Sequence, residues 1–125
     1  MKEGQVLKLQ KALYGLKQAG RRWYKTLETI LKTKGLQRSE YDQAVFYHKR
    51  EHLNLIVFIH VDDITIIGRN IKFIDELIAH ISKYVAYTND GDINWLLGIK
   101  ISYNWKKRTI KLWQKNYIDT IIKRY

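Results

Sequence analysis

Two adjacent carboxylates, Asp62 and Asp63, are the residues of this sequence best suited to chemistry. They interrupt an apolar stretch rich in β-branched residues that covers residues 55–68. Adjacent carboxylates repel each other and apolar neighbours disfavour their ionised forms, whereas a divalent cation offsets both effects. Because hard oxygen ligands suit Mg²⁺, the pair predicts a metal site; a solvated turn remains the alternative, since turns are rich in Asp.

The two halves of this stretch have the composition and length of β-strands. The simplest geometry is a hairpin with Asp62 and Asp63 as its two-residue turn. Asp tolerates the positive φ of such turns better than most residues, although Asp-Asp is a poor turn pair beside Asn-Gly. Alternation along the strand places His60 on the same face as Asp62, and therefore near the carboxylates.

Helices and further strands surround this hairpin. Apolar residues at helical spacing predict a helix after Gly20 that ends at Gly35, and a second helix capped by Asn70 that continues to about Tyr84. The first helix carries Trp23, whose spacing favours a core position over base stacking. A strand over residues 44–48 is predicted to pair with the first strand of the hairpin, taken as 53–61. Further strands are predicted over residues 96–103 and 109–113, with a short helix over 117–122. The pair Asp90 and Asp92 is predicted to lie in a solvated turn, because the further ligands of a calcium loop are missing.

Length and composition favour one intracellular domain. The 125 residues suit a single domain over 1–125, and the absence of Cys excludes disulfides and thiolate metal sites. Asp62 and Asp63 interrupt the most apolar stretch, so no membrane-spanning segment and no membrane partner is predicted. The N-terminus lacks the apolar core of a signal peptide, which favours the cytoplasm or the nucleus.

The net charge of +11 is unevenly distributed. It is +7 over residues 1–35, −2 over 36–104 and +6 over 105–125. Basic ends around a carboxylate pair suit a metal-dependent enzyme that acts on a polyanion, whereas a Lys-rich surface that only keeps the domain soluble is the alternative. Trp105 lies among three cations and is a candidate for base stacking, although a solvated turn explains those cations equally well. The candidate phosphate contacts are Lys11, Lys17, Arg21, Arg22, Lys106, Lys107 and Arg108.

Four motifs, in this order, resemble the reverse transcriptase of Ty1/copia-type retrotransposons. Residues 11–19 read Lys-Ala-Leu-Tyr-Gly-Leu-Lys-Gln-Ala, and the aromatic pair Trp23-Tyr24 follows. Val-Asp-Asp-Ile at 61–64 resembles the core of that family's polymerase motif. Leu-Leu-Gly-Ile at 96–99 and Trp-Gln-Lys-Asn-Tyr-Ile at 113–118 resemble two later segments. Together the motifs span residues 11–118, which is nearly the whole chain.

The resemblance implies an α+β polymerase palm, in which helices pack on one face of an antiparallel sheet. It implies DNA synthesis on an RNA or DNA template-primer from deoxynucleoside triphosphates with Mg²⁺. Asp62 and Asp63 would be the catalytic acids, Asp62 as the direct metal ligand and Asp63 as a weaker ligand or electrostatic partner. Gly15 and Gln18 would lie by the incoming nucleotide and template, and residues 96–99 near the primer strand. His60 would touch the template-primer.

Three departures from the family pattern bear on activity. His60 replaces a Tyr, Gly20 replaces a Pro, and residues 1–10 contain no match to the family's first metal-binding Asp. The chain is therefore expected to be an incomplete palm, its C-terminal part, without polymerase activity alone. Surface that missing palm or fingers segments would cover creates a risk of self-association. The alternatives are a non-catalytic nucleic-acid-binding remnant or domesticated module, and a pseudogene product.

Overall fold

The computed structural model describes residues 8–10, 12–48 and 54–125. Within them the helices are α1 (Ala19–Thr33), α2 (Ile71–Ile81) and α3 (Lys115–Arg124), and the strands are β1 (Gln37–Arg38), β2 (Val45–Tyr47), β3 (Leu55–His60), β4 (Asp63–Gly68), β5 (Trp95–Leu96), β6 (Ile99–Asn104) and β7 (Thr109–Trp113). The chain divides into two compact units, residues 1–87 and 88–125. The mixture of helices and antiparallel sheets confirms the α+β class. That residues 1–125 form one domain stays a prediction.

The first unit contains a four-stranded antiparallel sheet in the order β1-β2-β3-β4. Along β3, Leu55, Val57 and Ile59 are buried while Ile56 and His60 are exposed, as strand alternation requires. The buried side chains form one core with the apolar faces of α1 and α2: Leu27, Ile30, Leu31, Leu36, Phe46, Leu55, Val57, Ile59, Leu77 and Ile81. The two helices therefore cover the inward face of the sheet.

Helix α1 ends where the sequence predicts, but it begins earlier. Gly35 has a φ of +79° and donates its N–H to the Lys32 carbonyl at 2.9 Å, while the Leu36 N–H reaches the Leu31 carbonyl at 3.3 Å. These two bonds form a Schellman motif, which needs a left-handed residue at the position of Gly35. The predicted start after Gly20 was wrong, because a turn over residues 16–19 leads directly into the helix.

Helix α2 begins at the predicted cap, since the Asn70 Oδ1 accepts a hydrogen bond from the Phe73 N–H at 3.0 Å. It ends at Ile81, so the predicted end at about Tyr84 was one turn too late. The Tyr84 N–H donates to the Ile81 carbonyl at 3.0 Å in a turn, and Val85 still packs against the core. The apolar pattern thus continues beyond the helix that it predicts.

The second unit combines a three-stranded antiparallel sheet, ordered β5-β6-β7, with α3. The single strand predicted over residues 96–103 was wrong, because Leu97 and Gly98 turn the chain with φ values of +50° and +80°. Every residue of β7 is exposed, and none of α3 is buried. Among the helices of the described residues, none combines the length and apolarity needed to cross a bilayer.

Candidate active site at the β3–β4 turn

The hairpin is confirmed, but its turn lies one residue earlier than predicted. His60 pairs with Asp63, so Val61 and Asp62 form the two-residue turn and Asp63 is the first residue of β4. The other end of the hairpin pairs Leu55 with Gly68, where a Cβ would lie 2.8 Å from the Leu55 Cδ1. Glycine suits that position. Pairing along the whole hairpin therefore sets the register, rather than the turn preference of Asp.

Val61 occupies an unfavourable backbone conformation at this turn. Its φ is +54°, which is rare for a β-branched residue, and 70% of its surface is exposed. A conformation of this kind costs about 1–3 kcal/mol and persists only where the surroundings impose it. Burial of the Val61 side chain does not offset that cost, so other contacts must hold the turn.

One such contact comes from helix α1. The Trp23 Nε1–H donates a hydrogen bond to the Val61 carbonyl at 2.9 Å, while the half-buried indole packs against the core. The neighbouring Tyr24 hydroxyl donates to the carbonyl of Gln43, in the loop before β2. The Ile59 N–H donates to the carbonyl of the residue after Gln43. The loop before β2 and the β3–β4 turn therefore lie at the same end of the sheet. Helix α1 therefore donates one side-chain hydrogen bond to the β3–β4 turn and one to the loop before β2.

The sequence prediction for Trp23 identified its helix face but missed its hydrogen bond. The indole combines a large apolar surface with one N–H donor, which usually finds a partner when the ring is partly buried. A Trp at the first position of an apolar helix face therefore predicts a hydrogen bond from its indole N–H. Which carbonyl accepts the bond depends on tertiary packing, and spacing along the helix does not contain that information.

Both carboxylates are exposed at the end of the sheet, Asp62 in the turn and Asp63 on β4. His60 lies opposite Asp63 in the ladder, so the predicted shared face with Asp62 was wrong and the neighbour is Asp63. Cross-strand partners share one face of a sheet. The His60 ring also stacks on Phe58, with centroids 6.3 Å apart and planes 15° from parallel. An imidazole and a carboxylate therefore flank the turn on one face.

The chemistry of these side chains fits part of a site for a divalent cation. Asp62 and Asp63 offer hard, solvent-accessible oxygen ligands of the kind that Mg²⁺ prefers. Within residues 8–10, 12–48 and 54–125, no three His, Asp or Glu side chains come close enough to hold a metal together. The two carboxylates would therefore leave coordination positions for water or for substrate oxygens, as Mg²⁺ sites in proteins usually do.

The other predicted site residues of the first unit lie at or just before the start of α1. Gly15 has a φ of +87° with open space where a Cβ would be, and the exposed Gln18 immediately precedes the helix. Lys17, Arg21 and Arg22 are exposed at the same helix end. Lys11 lies outside the described residues. The five described residues lie at one helix end, and the same helix reaches the carboxylate turn through Trp23.

The remaining predicted cations belong to the second unit. Lys106, Lys107 and Arg108 are exposed in the turn that connects β6 to β7. Residues 96–99, predicted to lie near a primer, form the tight turn between β5 and β6. These two groups therefore belong to the second unit, whereas Asp62 and Asp63 belong to the first.

Comparisons with known proteins agree with the sequence motifs. The family profile described as "Reverse transcriptase (RNA-dependent DNA polymerase)" matches residues 1–125. The chain is 32% identical to the "Retrovirus-related Pol polyprotein from transposon TNT 1-94" of Nicotiana tabacum, over 99% of the chain and 9% of that protein. It is 35% identical to the corresponding polyprotein from transposon RE2 of Arabidopsis thaliana, over 76% of the chain and 6% of that protein.

A more distant similarity extends to yeast. The chain is 28% identical to the "Transposon Ty1-MR1 Gag-Pol polyprotein" of Saccharomyces cerevisiae, over 89% of the chain and 6% of that protein. The chain thus spans less than a tenth of the length of the curated relatives that it matches. No solved structure matches it.

Proposed function

This chain belongs to the reverse transcriptase family of Ty1/copia-type retrotransposons, and we propose that it is part of a polymerase palm whose β3–β4 turn carries the catalytic acids. Asp62 and Asp63 would hold Mg²⁺, Asp62 as the direct ligand and Asp63 as a weaker ligand or electrostatic partner. The observation that carries the proposal is the pair of exposed carboxylates, Asp62 in a strained turn and Asp63 directly after it, where Trp23 bonds the turn to a helix. Strained backbone is concentrated at functional sites.

The proposed substrates are an RNA or DNA template-primer and deoxynucleoside triphosphates. When bound, Mg²⁺ would activate the primer 3′-hydroxyl and stabilise the charge of the leaving pyrophosphate. His60, opposite Asp63, would contact the template-primer. Gly15 and Gln18 would lie by the nucleotide and template, where the open space at Gly15 allows a close approach to the backbone. An intracellular location, in the cytoplasm or nucleus, is part of this proposal.

We propose that the 125 residues alone do not polymerise. Two-metal sites usually need more carboxylate ligands than Asp62 and Asp63 supply. Within the described residues, β4 is the last strand of its sheet, so the backbone groups along its outer edge, from Asp63 to Gly68, can pair with a further strand. A strand there would carry a third carboxylate close to Asp63. Self-association through the same edge is the competing outcome.

A non-catalytic nucleic-acid-binding module is the second candidate. It is favoured by the net charge of +11 and by the exposed cations at the start of α1 and between β6 and β7. This candidate predicts binding to RNA–DNA hybrids or single strands that weakens steeply with salt and does not depend on Asp62 or Asp63.

Primer extension in a chimeric enzyme tests the first candidate. Residues 1–125 replace the matching segment of an active Ty1/copia-type reverse transcriptase, and DNA synthesis on an RNA template is measured with Mg²⁺. We expect the chimera to extend primers and the double variant Asp62→Asn/Asp63→Asn to lose at least about 100-fold in rate, as expected when charge stabilisation is removed from an active site. The isolated chain should be inactive.

The matched control is Asp90→Asn/Asp92→Asn, which removes the same charge from another Asp pair of the chain. It should leave extension unchanged. A chimera that is folded but inactive, or one that loses activity equally with both double variants, would overturn the catalytic proposal. The binding module would then be favoured if RNA–DNA affinity survives Asp62→Asn/Asp63→Asn.

A further inference from the structure

The turn between β6 and β7, residues 105–108, presents an exposed aromatic stack. The Trp105 and Tyr103 rings lie 5.3 Å apart between centroids, with planes 5° from parallel. Trp105 is 76% exposed, so its outer surface is open to solvent although its ring is oriented by Tyr103. Packing within the described residues therefore does not account for a Trp at this position.

Two hydrogen bonds stabilise this turn. The Lys107 N–H donates to the Asn104 Oδ1 at 2.9 Å, and the Arg108 N–H donates to the Trp105 carbonyl at 3.4 Å. Asn104 pairs with Thr109 as the last pair of the ladder, and the chain enters β7 through Arg108, whose φ is +52°. A ring held by such a turn loses little conformational entropy when it binds a ligand.

Positive charge follows Trp105 directly in the sequence. Trp105 precedes three consecutive cations, Lys106, Lys107 and Arg108, and residues 88–125 contain eight Lys and Arg against three Asp, a net charge of +5. The ion pairs found in the described part of the chain all involve Glu28, in the other unit. The three cations therefore remain available to an anionic partner.

We propose that this turn binds single-stranded nucleic acid, with one base stacked on Trp105 and the adjacent phosphates neutralised by Lys106, Lys107 and Arg108. The inference deepens the proposed function, because it names a contact for an unpaired stretch of template or primer outside the carboxylate site. Stacking on an aromatic ring accepts any base, and a basic groove or turn follows the backbone without reading sequence. A protein partner for this hairpin would not require three consecutive cations.

The test is the affinity of the 125-residue chain for a fluorescein-labelled twelve-nucleotide oligo(dT), measured by anisotropy in EDTA over a range of salt concentrations. We expect Trp105→Ala to weaken binding about tenfold or more, and Trp105→Phe to retain most of the affinity, because its ring can still stack. The triple variant Lys106→Gln/Lys107→Gln/Arg108→Gln should reduce the slope of log Kd against log salt by about 2.

Two controls match these changes. The triple variant Lys111→Gln/Lys115→Gln/Lys123→Gln alters the net charge of the same unit equally and should reduce the slope less. Tyr125→Ala removes an exposed ring beside two cations that has no stacked neighbour in the described residues, and it should leave the affinity within about twofold. Equal losses from Trp105→Ala and Tyr125→Ala, or equal slopes for the two triple variants, would overturn the proposal.

The outcome is independent of catalysis, because EDTA removes any metal at Asp62 and Asp63. Loss of binding in Trp105→Ala supports the stacking proposal even if the chimeric enzyme never extends a primer. Conversely, an active chimera whose isolated chain binds oligo(dT) equally well with and without Trp105 refutes the stacking proposal and leaves the proposed function intact.

Discussion

The indole nitrogen of Trp23 donates a hydrogen bond to the carbonyl oxygen of Val61 at a distance of 2.9 Å. The contact joins the second turn of α1 to the β3–β4 turn, which contains Asp62 and directly precedes Asp63. It also satisfies a carbonyl group at a residue whose φ of +54° is unfavourable for its side chain. A residue 38 positions before Val61 in the chain therefore contacts the turn beside Asp62 and Asp63.

Replacing Trp23 with Phe is expected to loosen this turn without emptying the core. Phe keeps an aromatic ring against the apolar cluster but lacks the indole N–H. The free energy of unfolding should fall by about 1 kcal/mol, the usual net contribution of one hydrogen bond. Denaturant unfolding measures that loss, and hydrogen exchange should be faster at the amides of residues 61–63.

Tyr24→Phe is the matched control, because it removes the neighbouring hydrogen bond to Gln43 and leaves the bond to Val61 intact. It should cost a similar free energy of unfolding without faster exchange at residues 61–63. If both variants accelerate exchange there equally, Trp23 only contributes to general stability and does not position the turn.

Val61→Gly should relieve backbone strain. Glycine adopts positive φ without steric cost, which removes about 1–3 kcal/mol of strain, while its greater freedom in the unfolded chain offsets about 0.5–1 kcal/mol. We expect the free energy of unfolding to stay constant or to rise by up to about 2.5 kcal/mol. Thermal and denaturant unfolding measure the change.

Ile67→Gly provides the comparison, since Ile67 is a β-branched residue of β4, 58% exposed, without positive φ. Ile67→Gly has the same entropic cost from the freedom of glycine in the unfolded chain and relieves no backbone strain. It should therefore lower the free energy of unfolding by about 1 kcal/mol. Equal destabilisation by the two substitutions would show that Val61 is not strained.

Glu28 predicts a pH-dependent contribution to stability. The hydrogen bond from Lys32, at 2.8 Å, is the main cause that lowers the pKa of the Glu28 carboxyl, and the charges of Lys32, Arg38 and Lys25 lower it further against the opposing effect of burial. A carboxyl whose pKa is lowered by folding stabilises the protein above its unfolded pKa, about 4.3. That stabilising contribution disappears as the pH falls through the lower pKa that the carboxyl has in the folded protein.

Glu28→Gln should therefore reduce the free energy of unfolding at neutral pH by at most about 1 kcal/mol, because Lys32 is 54% exposed and solvent screens the pair. The difference from the unsubstituted protein should shrink as the pH falls below about 4.3. Urea unfolding at several pH values measures this difference in free energy. The control is Glu76→Gln, because Glu76 is exposed. A difference that grows towards acid pH would contradict this sign.

Local sequence patterns predicted the elements better than their ends. The spacing of Leu27, Ile30 and Leu31 predicted α1, and Asn70 predicted the start of α2, because helix faces and caps depend on neighbouring residues. The register at Asp63 was missed by one residue, since it depends on pairing along the whole hairpin. Turn preference alone contains no information about that pairing.

The candidate site was predicted only in part, because some of its contacts depend on tertiary packing. The adjacent Asp62 and Asp63 and the apolar strands around them are visible in the sequence, and so are the basic ends of the chain. The Trp23–Val61 bond and the stacking of Trp105 on Tyr103 are tertiary or turn contacts. Residue types and spacing restrict which of these contacts can form, but they do not determine which ones do form.

Titration of the isotope-labelled chain with Mn²⁺, followed by NMR, tests the claim that Asp62 and Asp63 hold a divalent cation. Paramagnetic broadening should begin at the amides of residues 60–64, disappear in Asp62→Asn/Asp63→Asn and persist in Asp90→Asn/Asp92→Asn. Broadening that begins around residues 90–92, or that is unchanged in Asp62→Asn/Asp63→Asn, would contradict the claim.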